Sequence, residues 1–583
     1  MGRANVDSYQ ALHSWSVRRR EEYWALALAR LDVRFDQPFH TLLDLSRGVA
    51  APRWLVGARM NIVESCFSAP PEQPAIRFQA EGGELFVMTY GELKALTGRV
   101  AANLRRLGYQ PGDALAILMP MTAEAVAIYL GIVAAGCVVV GIADSFGPLE
   151  IATRLRISGA MAVFTQDVLI RGGKTFPLYA KAIEAGAPPA IVLPAQIRLS
   201  LPLREEDCAW PEFLQIDAPF ATTSREPADA MNILFSSGTT GEPKAIPWTH
   251  TTPIKCAADA HFHQNIHPGD TLVWPTNLGW MMGPWLIFAS LMNRATMGLY
   301  YGPPTGREFG LFVQKSQATM LGLVPSLVKA WRSSGCMNAL DWSALKVISS
   351  TGECSRADDM RWLMERTGCP VIEYCGGTEI GGAYITGTVT LPCVAGAFNT
   401  PTLGLDVTIL DEEGRPAESG ELFLTPPSIG LSTTLLNKDH HEVYFAGAPR
   451  GPHGETLRRH GDEMEALPGG LWRAKGRADD TMNLGGIKVS SAEIEQVLHR
   501  VPGVFETAAI AISPDGGPSQ LVIYAVCPGH NASGQEAMLA MMQSTIKRDL
   551  NPLFKIHELI FTEALPRTAS NKIMRRELRA RHG

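Results

Sequence analysis

From about residue 60 onward the chain alternates short apolar runs with stretches of helical spacing: AIRFQA, DALAILMP, CVVVGIAD, MAVFTQ and AIVLPA, then MNILF, TLVWP, TMLGLV, LKVISS and PVIEYC. Runs this short, bounded by Gly, Pro and polar turns, predict strands buried on both faces, and the helical stretches between them make the strands parallel. The loops that follow such strands are where open parallel sheets hold ligands. At 583 residues the chain exceeds what one hydrophobic core organises. The expected fold is therefore α/β: a large multi-subdomain N-terminal body with parallel sheets and a small β-rich subdomain, plus a small mobile α+β C-terminal domain.

Three segments follow from texture. Residues 1–60, with WSVRRREEYWALALARL, read as a helical N-terminal extension, and 61–478 as the body. Within the body, short strands and turn residues around 400–475 (LDVTILDEEGRPAESGELFLTP) read as the β-rich subdomain. A compact α+β pattern restarts after Arg477 and fills 479–583.

Composition narrows the function classes. The net charge of −6 gives no sign of a nucleic-acid partner. Ten cysteines scattered from Cys66 to Cys527, without a CxxC pair, predict a reduced cytoplasmic protein. MGRANVDSYQALHSW lacks the basic-then-apolar order of a secretion signal, and ELRARHG does not match a peroxisomal address. Ala125–Ala143 runs for 19 residues without a charge. Gly136 breaks it, so a helix from near Thr122 and a strand over Cys137–Ile142 are expected instead of a membrane span. Asp439-His440-His441-Glu442 has metal-binding residue types, but adjacent residues converge poorly on one ion, and a solvated loop near the nucleotide is the better reading.

The strongest chemical feature is Ser236-Ser237-Gly238-Thr239-Thr240-Gly241-Glu242-Pro243-Lys244, directly after the strand-like MNILF. Glycines let backbone N–H groups approach phosphate oxygens, the hydroxyls add donors and the lysine adds charge. This is not the GxxxxGK pattern followed by Ser or Thr, since Pro243 precedes the lysine and Ala245 follows it.

SSGTTGEPKAI resembles the phosphate-loop motif of the AMP-forming adenylation family, which includes acyl-CoA synthetases, luciferases and peptide-synthetase adenylation domains. Further motifs follow in that family's order. Thr351-Gly352-Glu353 resembles the segment that packs on adenine, Tyr374-Cys375-Gly376-Gly377-Thr378-Glu379 the YGxTE motif, and His460-Gly461-Asp462 the ribose-binding GD. Gly476-Arg477-Ala478-Asp479-Asp480 with Met482 to Lys488 resembles the hinge, and Pro566 to Ile573 the terminal motif carrying a catalytic lysine, here Lys572. The N-terminal extension resembles the acetyl-CoA and acetoacetyl-CoA synthetase branch. NKDHHEVYFAG, LRRHGDE and GRADDTMNLGGIKVSSAEIE are similar to the plant acyl-activating enzymes of that branch.

The resemblance implies an acid–thiol ligase that uses ATP, Mg²⁺ and coenzyme A: carboxylate and ATP give acyl-AMP and pyrophosphate, then the acyl group passes to a thiol. It implies that Asp462 and Arg477 hold the ribose, that Glu379 ligates Mg²⁺ with Thr239 or Thr240 on the phosphates, and that Lys572 offsets charge at the α-phosphate. Lys244 and Lys488 fall within the nucleotide-binding motifs. Asp479 falls at the hinge and Gly486 where the thiol tunnel passes the backbone. No general base is needed, since the attacking carboxylate is already ionised at neutral pH.

Cys354 and Asn571 depart from the family's usual proline and glycine. For the acid, Gly376 stands where acetyl-CoA synthetases close the pocket with tryptophan. With Thr351, Trp280, Met281 and Met282 lining the wall, an acid longer than acetate is expected: medium-chain, branched, keto or aryl-alkyl. An adenylating enzyme with another acceptor, such as a carrier-protein thiol, and a non-catalytic nucleotide-binding protein remain as alternatives.

Overall fold

The computed structural model describes residues 6–236, 242–411, 413–477, 481–514, 517–527, 534–566 and 573–582. The body carries two large sheets, and the order of strands in each explains why the apolar runs lack alternation. The first runs Cys208–Ala209, Ala190–Leu193, Ala162–Gln166, Ala114–Leu118, Val138–Ile142, Ala230–Ser236 and Lys244–Thr249, parallel except for the last strand. Val138–Ile142 and Ala114–Leu118 are buried at every position. Covering helices leave such strands no solvent face.

The second sheet is parallel through Val371–Gly377, Val347–Ser350, Met320–Leu323, Thr271–Val273, Thr296–Tyr301 and Pro74–Ala80. Antiparallel strands close its ends, Gly382–Thr386 with Thr400–Pro401 on one side and Phe86–Thr89 on the other. The 19-residue apolar stretch is resolved as expected. Thr122 caps helix Ala123–Ala134 by accepting from Ala125 N–H at 3.2 Å, and Gly136, at φ 82°, turns the chain into Val138–Ile142. No helix among the described residues is long and apolar enough to cross a membrane.

The N-terminal segment differs from the helical expectation. Helices Tyr9–Arg18 and Arg20–Arg30 form, but Thr41–Asp44 and Arg53–Val56 pair as an antiparallel ribbon. Leu42, Leu43, Trp54 and Leu55 are buried on it, and two adjacent apolar residues per short strand carry no helical period. Trp24 is fully buried and meets Trp54 edge to face, while the Tyr9 hydroxyl lies 3.2 Å from His263 Nδ1. The segment is thus part of the main core.

The β-rich subdomain is a four-stranded antiparallel sheet, Asp406–Leu410, Ser419–Thr425, Arg458–Leu467 and Leu471–Arg477. Beyond it come the hairpin Thr481–Leu484 with Ile487–Ser490, helices Ser491–Leu498, Gln535–Asp549 and Arg575–His582, and a three-stranded sheet. This small α+β unit has its own apolar cluster around Ile494, Leu521, Ile523 and Met538.

Candidate active site

A cavity of about 850 Å³ opens where the strands of the second sheet end. Trp274 follows Thr271–Val273, Val324 follows Met320–Leu323, and Thr351 follows Val347–Ser350. Strand-end loops converge there because a parallel sheet sends all its carboxyl ends to one edge. Its lining is of two kinds, a polar part with Ser236, Glu353, Glu373, Thr378, Glu379 and Asp462, and an apolar and aromatic part with Trp274, Trp280, Met281, Met282 and Tyr374.

In the polar part Ser236 pairs with Lys244 in antiparallel register, which closes the base of the phosphate-type loop. Ser237, Gly238, Thr239, Thr240 and Gly241 lie outside the described residues. Asn437 clamps the returning strand, accepting from Ala245 N–H at 3.0 Å and donating to Pro243 C=O at 2.9 Å. The Tyr444 ring meets two cations, with Lys244 Nζ 5.2 Å and the Arg458 guanidinium 4.2 Å from its centroid. Neither Tyr444 nor Arg458 was evident from the motifs. The Ser236 hydroxyl is buried without a hydrogen-bond partner, so a ligand oxygen here meets a waiting donor.

Asp439-His440-His441-Glu442 is a helix start and not a loop, with Asp439, His441 and Glu442 exposed as expected and His440 half-buried. Asp439 caps the short helix His440–Tyr444 by accepting from Glu442 N–H at 2.9 Å, and burial beside Arg458 pushes the His440 imidazole down to about 4. Among the described residues no cluster of three or more His, Cys, Asp or Glu is placed to hold a metal.

His460 stands between two carboxylates, its Nδ1 3.4 Å from Glu379 Oε1 and its Nε2 3.3 Å from Asp462 Oδ2. Asp462 Oδ2 also accepts the Tyr384 hydroxyl at 2.6 Å. The ring thus spaces the two acids apart on its opposite edges. Nearby, Glu353 accepts from Ser326 N–H at 3.0 Å and from the backbone of Gly485 and Gly486. The Thr351 hydroxyl donates to Tyr374 C=O. Thr378 lines the cavity while its carbonyl accepts the Trp248 indole at 2.7 Å.

Glu373, which sequence reasoning missed, also faces the cavity. Ser355 donates to its Oε2 at 2.7 Å, while Oε1 is buried without a partner. Burial pushes this carboxyl up to about 7, against the lowering effect of the Ser355 and Ser350 hydroxyls. The folded state therefore holds a proton that the unfolded chain has released, and stability present below about pH 4.5 is lost as pH rises through about 7. Glu373→Gln is expected to flatten that fall by about 3 kcal/mol. Chemical denaturation of both proteins at pH 5 and pH 8 measures this, and parallel slopes would show that Glu373 is ionised throughout.

In the apolar part Met282 is buried and Met281 half-buried, both on the cavity wall at the start of helix Met282–Leu291. Trp280 meets Phe146 edge to face at 5.0 Å and packs against apolar clusters of both the body and the C-terminal unit. Gly376 lines the cavity, yet a Cβ on its backbone would lie 1.9 Å from Gly382 C=O on the adjoining strand. A larger residue there requires the strand pair to part, so the glycine serves a close backbone approach. Tyr374, grouped by its motif with the nucleotide, turns its hydroxyl inward, to Asp259 at 2.7 Å and Trp285 at 3.0 Å.

The hairpin of the C-terminal unit reaches the same cavity. Gly352, at φ 93°, faces Gly486, at φ 81°, so closely that a Cβ on Gly352 would lie 3.2 Å from Gly486 Cα. Arg477 pairs in register with Asp462, and Lys488 with Asn483. Asp479 and Lys572 lie outside the described residues.

Comparison with known proteins agrees with this geometry. The family described as AMP-binding enzyme matches residues 63–431, the acetyl-coenzyme A synthetase N-terminus matches 9–66, and the AMP-binding enzyme C-terminal domain matches 493–572. The chain is 47% identical to the probable acyl-activating enzyme 17, peroxisomal, of Arabidopsis thaliana, over 98% of this chain and 83% of that protein. It is 45% identical to hexanoyl-CoA synthase of Cannabis sativa over the same shares. The acetoacetyl-CoA synthetase from Streptomyces lividans superposes with a TM-score of 0.76 at 27% identity, covering 98% of this chain and 89% of that one. The chain thus belongs to the AMP-binding enzyme family and, with these relatives, is an AMP-forming acid–thiol ligase.

Proposed function

We propose that this ligase activates a medium-chain acid, longer than acetate, as acyl-AMP and transfers it to coenzyme A. The observation that carries the reading is one cavity lined both by carboxylates and by tryptophan, methionine and tyrosine side chains. A nucleotide and an aliphatic chain, joined through one carboxyl carbon, match that division. The hexanoyl-CoA synthase of Cannabis sativa supports an acid of this size.

In this reading Asp462 accepts from the ribose hydroxyls, with Arg477 beside it, and Glu353 and Glu373 flank the base. Gly352, Tyr374 and Thr378 shape the floor. Ser236, the Ser237 to Gly241 loop and Lys244 take the phosphates. Ionised acid attacks the α-phosphate, pyrophosphate leaves, and Lys572 stabilises the charge gathered on the phosphoryl oxygens. Gly486 then admits the thiol, which attacks the acyl carbon and releases AMP; Asp479 serves as the pivot and Lys488 as a charge on the moving hairpin.

Mg²⁺ fits the oxygen donors present: Glu379 is buried on the cavity lining, its carboxylate 3.4 Å from His460 Nδ1, with the unpartnered Ser236 hydroxyl lining the same cavity. Glu379 would hold the ion, which neutralises triphosphate charge. Ten cysteines outside any disulfide support a reducing, cytoplasmic setting; a fluorescent fusion that collects in peroxisomes would overturn it.

Pyrophosphate release from Mg·ATP, measured over acids from acetate to long-chain and aryl acids with and without coenzyme A, tests the reading. Mid-length acids are expected to turn over only with coenzyme A present. Turnover of acetate alone would contradict the acid class, and turnover without coenzyme A would point to another acceptor.

A further inference from the structure

Beneath the apolar part of the cavity lining lies a charge pair to which the reaction assigns no role. Helix Thr252–Phe262 carries Lys255 and Asp259 one turn apart, with side chains 0% and 2% exposed, and the ammonium contacts Asp259 Oδ1. Asp259 Oδ2 accepts the Tyr374 hydroxyl at 2.7 Å and Ala383 N–H at 3.0 Å. The Tyr374 oxygen in turn accepts from Trp285 Nε1 at 3.0 Å, and the Trp285 ring meets Trp274 edge to face with centroids 5.4 Å apart. Tyr374 and Trp274 both line the cavity.

Stability alone does not account for such a pair. Apolar residues of similar volume replace buried ion pairs at little cost, whereas an ion pair dictates where its hydrogen-bond partners stand. Here the dictated partner is a phenol that donates to the carboxylate and accepts from an indole, so its ring has one orientation. The surroundings fit the pair closely: a Cβ on Gly382 would lie 2.5 Å from Asp259 Oδ2, and one on Gly430 2.7 Å from Lys255 Cβ.

We propose that Lys255 and Asp259 are specificity-determining positioning residues, which hold Tyr374 directly and Trp274 through Trp285 as a rigid wall and so set the longest acid the enzyme accepts. The inference rests on the reading that this part of the cavity receives the acyl chain. A loosened wall yields to extra methylenes, each of which discriminates by about tenfold or more in a closed apolar pocket.

The test is the chain-length profile of coenzyme A-dependent pyrophosphate release for straight-chain acids, in wild type and three variants. Tyr374→Phe keeps the ring and cuts both of its tethers. Trp285→Phe cuts the indole tether and leaves the charges, and Lys255→Met with Asp259→Asn removes both charges while keeping an acceptor for Ala383. Kcat/KM for acids beyond the wild-type limit, relative to the best wild-type acid, is expected to rise on the order of tenfold in Tyr374→Phe and in the same sense in the other two. KM for ATP should not move in Trp285→Phe. A merely structural role would lower activity on all acids alike, so an unchanged profile in folded Tyr374→Phe and Trp285→Phe overturns the inference while leaving the ligase reading intact. A wild type inactive on every acid removes the ligase reading, and the inference with it.

Discussion

Lys572→Ala is expected to lower acid-dependent pyrophosphate release by about a hundredfold or more, with thermal stability nearly unchanged. The attacking carboxylate and the α-phosphate are both anionic, and two unit charges about 4 Å apart repel by roughly 4 kcal/mol at the effective dielectric of a protein surface. An ammonium group between them reverses that term as the reacting atoms close. The second half-reaction joins a thiol to a carbonyl carbon and gathers no such paired charge. Transfer from preformed acyl-AMP to coenzyme A should therefore survive the substitution far better than acyl-AMP formation. Single-turnover assays of the two halves separate these effects. Equal losses in both would relocate the role of Lys572, and no loss in the first would pass it to another cation at the cavity, with Lys555, Arg473 and Arg171 in place to be tested next.

Lys255→Met is expected to destabilise the protein by about 3–5 kcal/mol, because it leaves the Asp259 carboxylate buried with only neutral donors around it. The tyrosine hydroxyl and the Ala383 amide still reach that carboxylate, at 2.7 and 3.0 Å, but neither carries charge. Adding Asp259→Asn removes the stranded ion and should restore more than half of the loss, so the two substitutions are strongly non-additive. Denaturant unfolding of the wild type, the single variant and the double variant closes the cycle. A cost below about 1 kcal/mol for the single change would overturn this account of the pair.

The parallel body was legible in the sequence because strands buried on both faces leave unbroken apolar runs, and the motif loops follow them in order. The antiparallel ribbon of Thr41–Asp44 and Arg53–Val56 was not, since four-residue strands carry too few positions to set a period. Short range also hid the helix at Asp439–Tyr444, whose cap is a single hydrogen bond. Lys255 and Asp259, spaced by four, carry no mark of burial in the sequence itself; Gly382 and Gly430 let distant backbone close on their helix. Tyr374 belonged to a nucleotide motif by position, and its hydroxyl serves the apolar part of the cavity because its partners, Asp259 and Trp285, come from helices far off in the chain.

The glycine-to-glycine approach of residues 352 and 486 ties the C-terminal unit to one particular body. A methyl group on Gly486 would lie 2.8 Å from Val324 Cγ1, and one on Gly352 would press on the hairpin backbone. Chimeras that join this body to the C-terminal unit of a relative will therefore close their cavity only when the donor also carries glycine at the position of Gly486. Compatibility between halves is thus decided at a contact too small to appear in any comparison of surface charge or area.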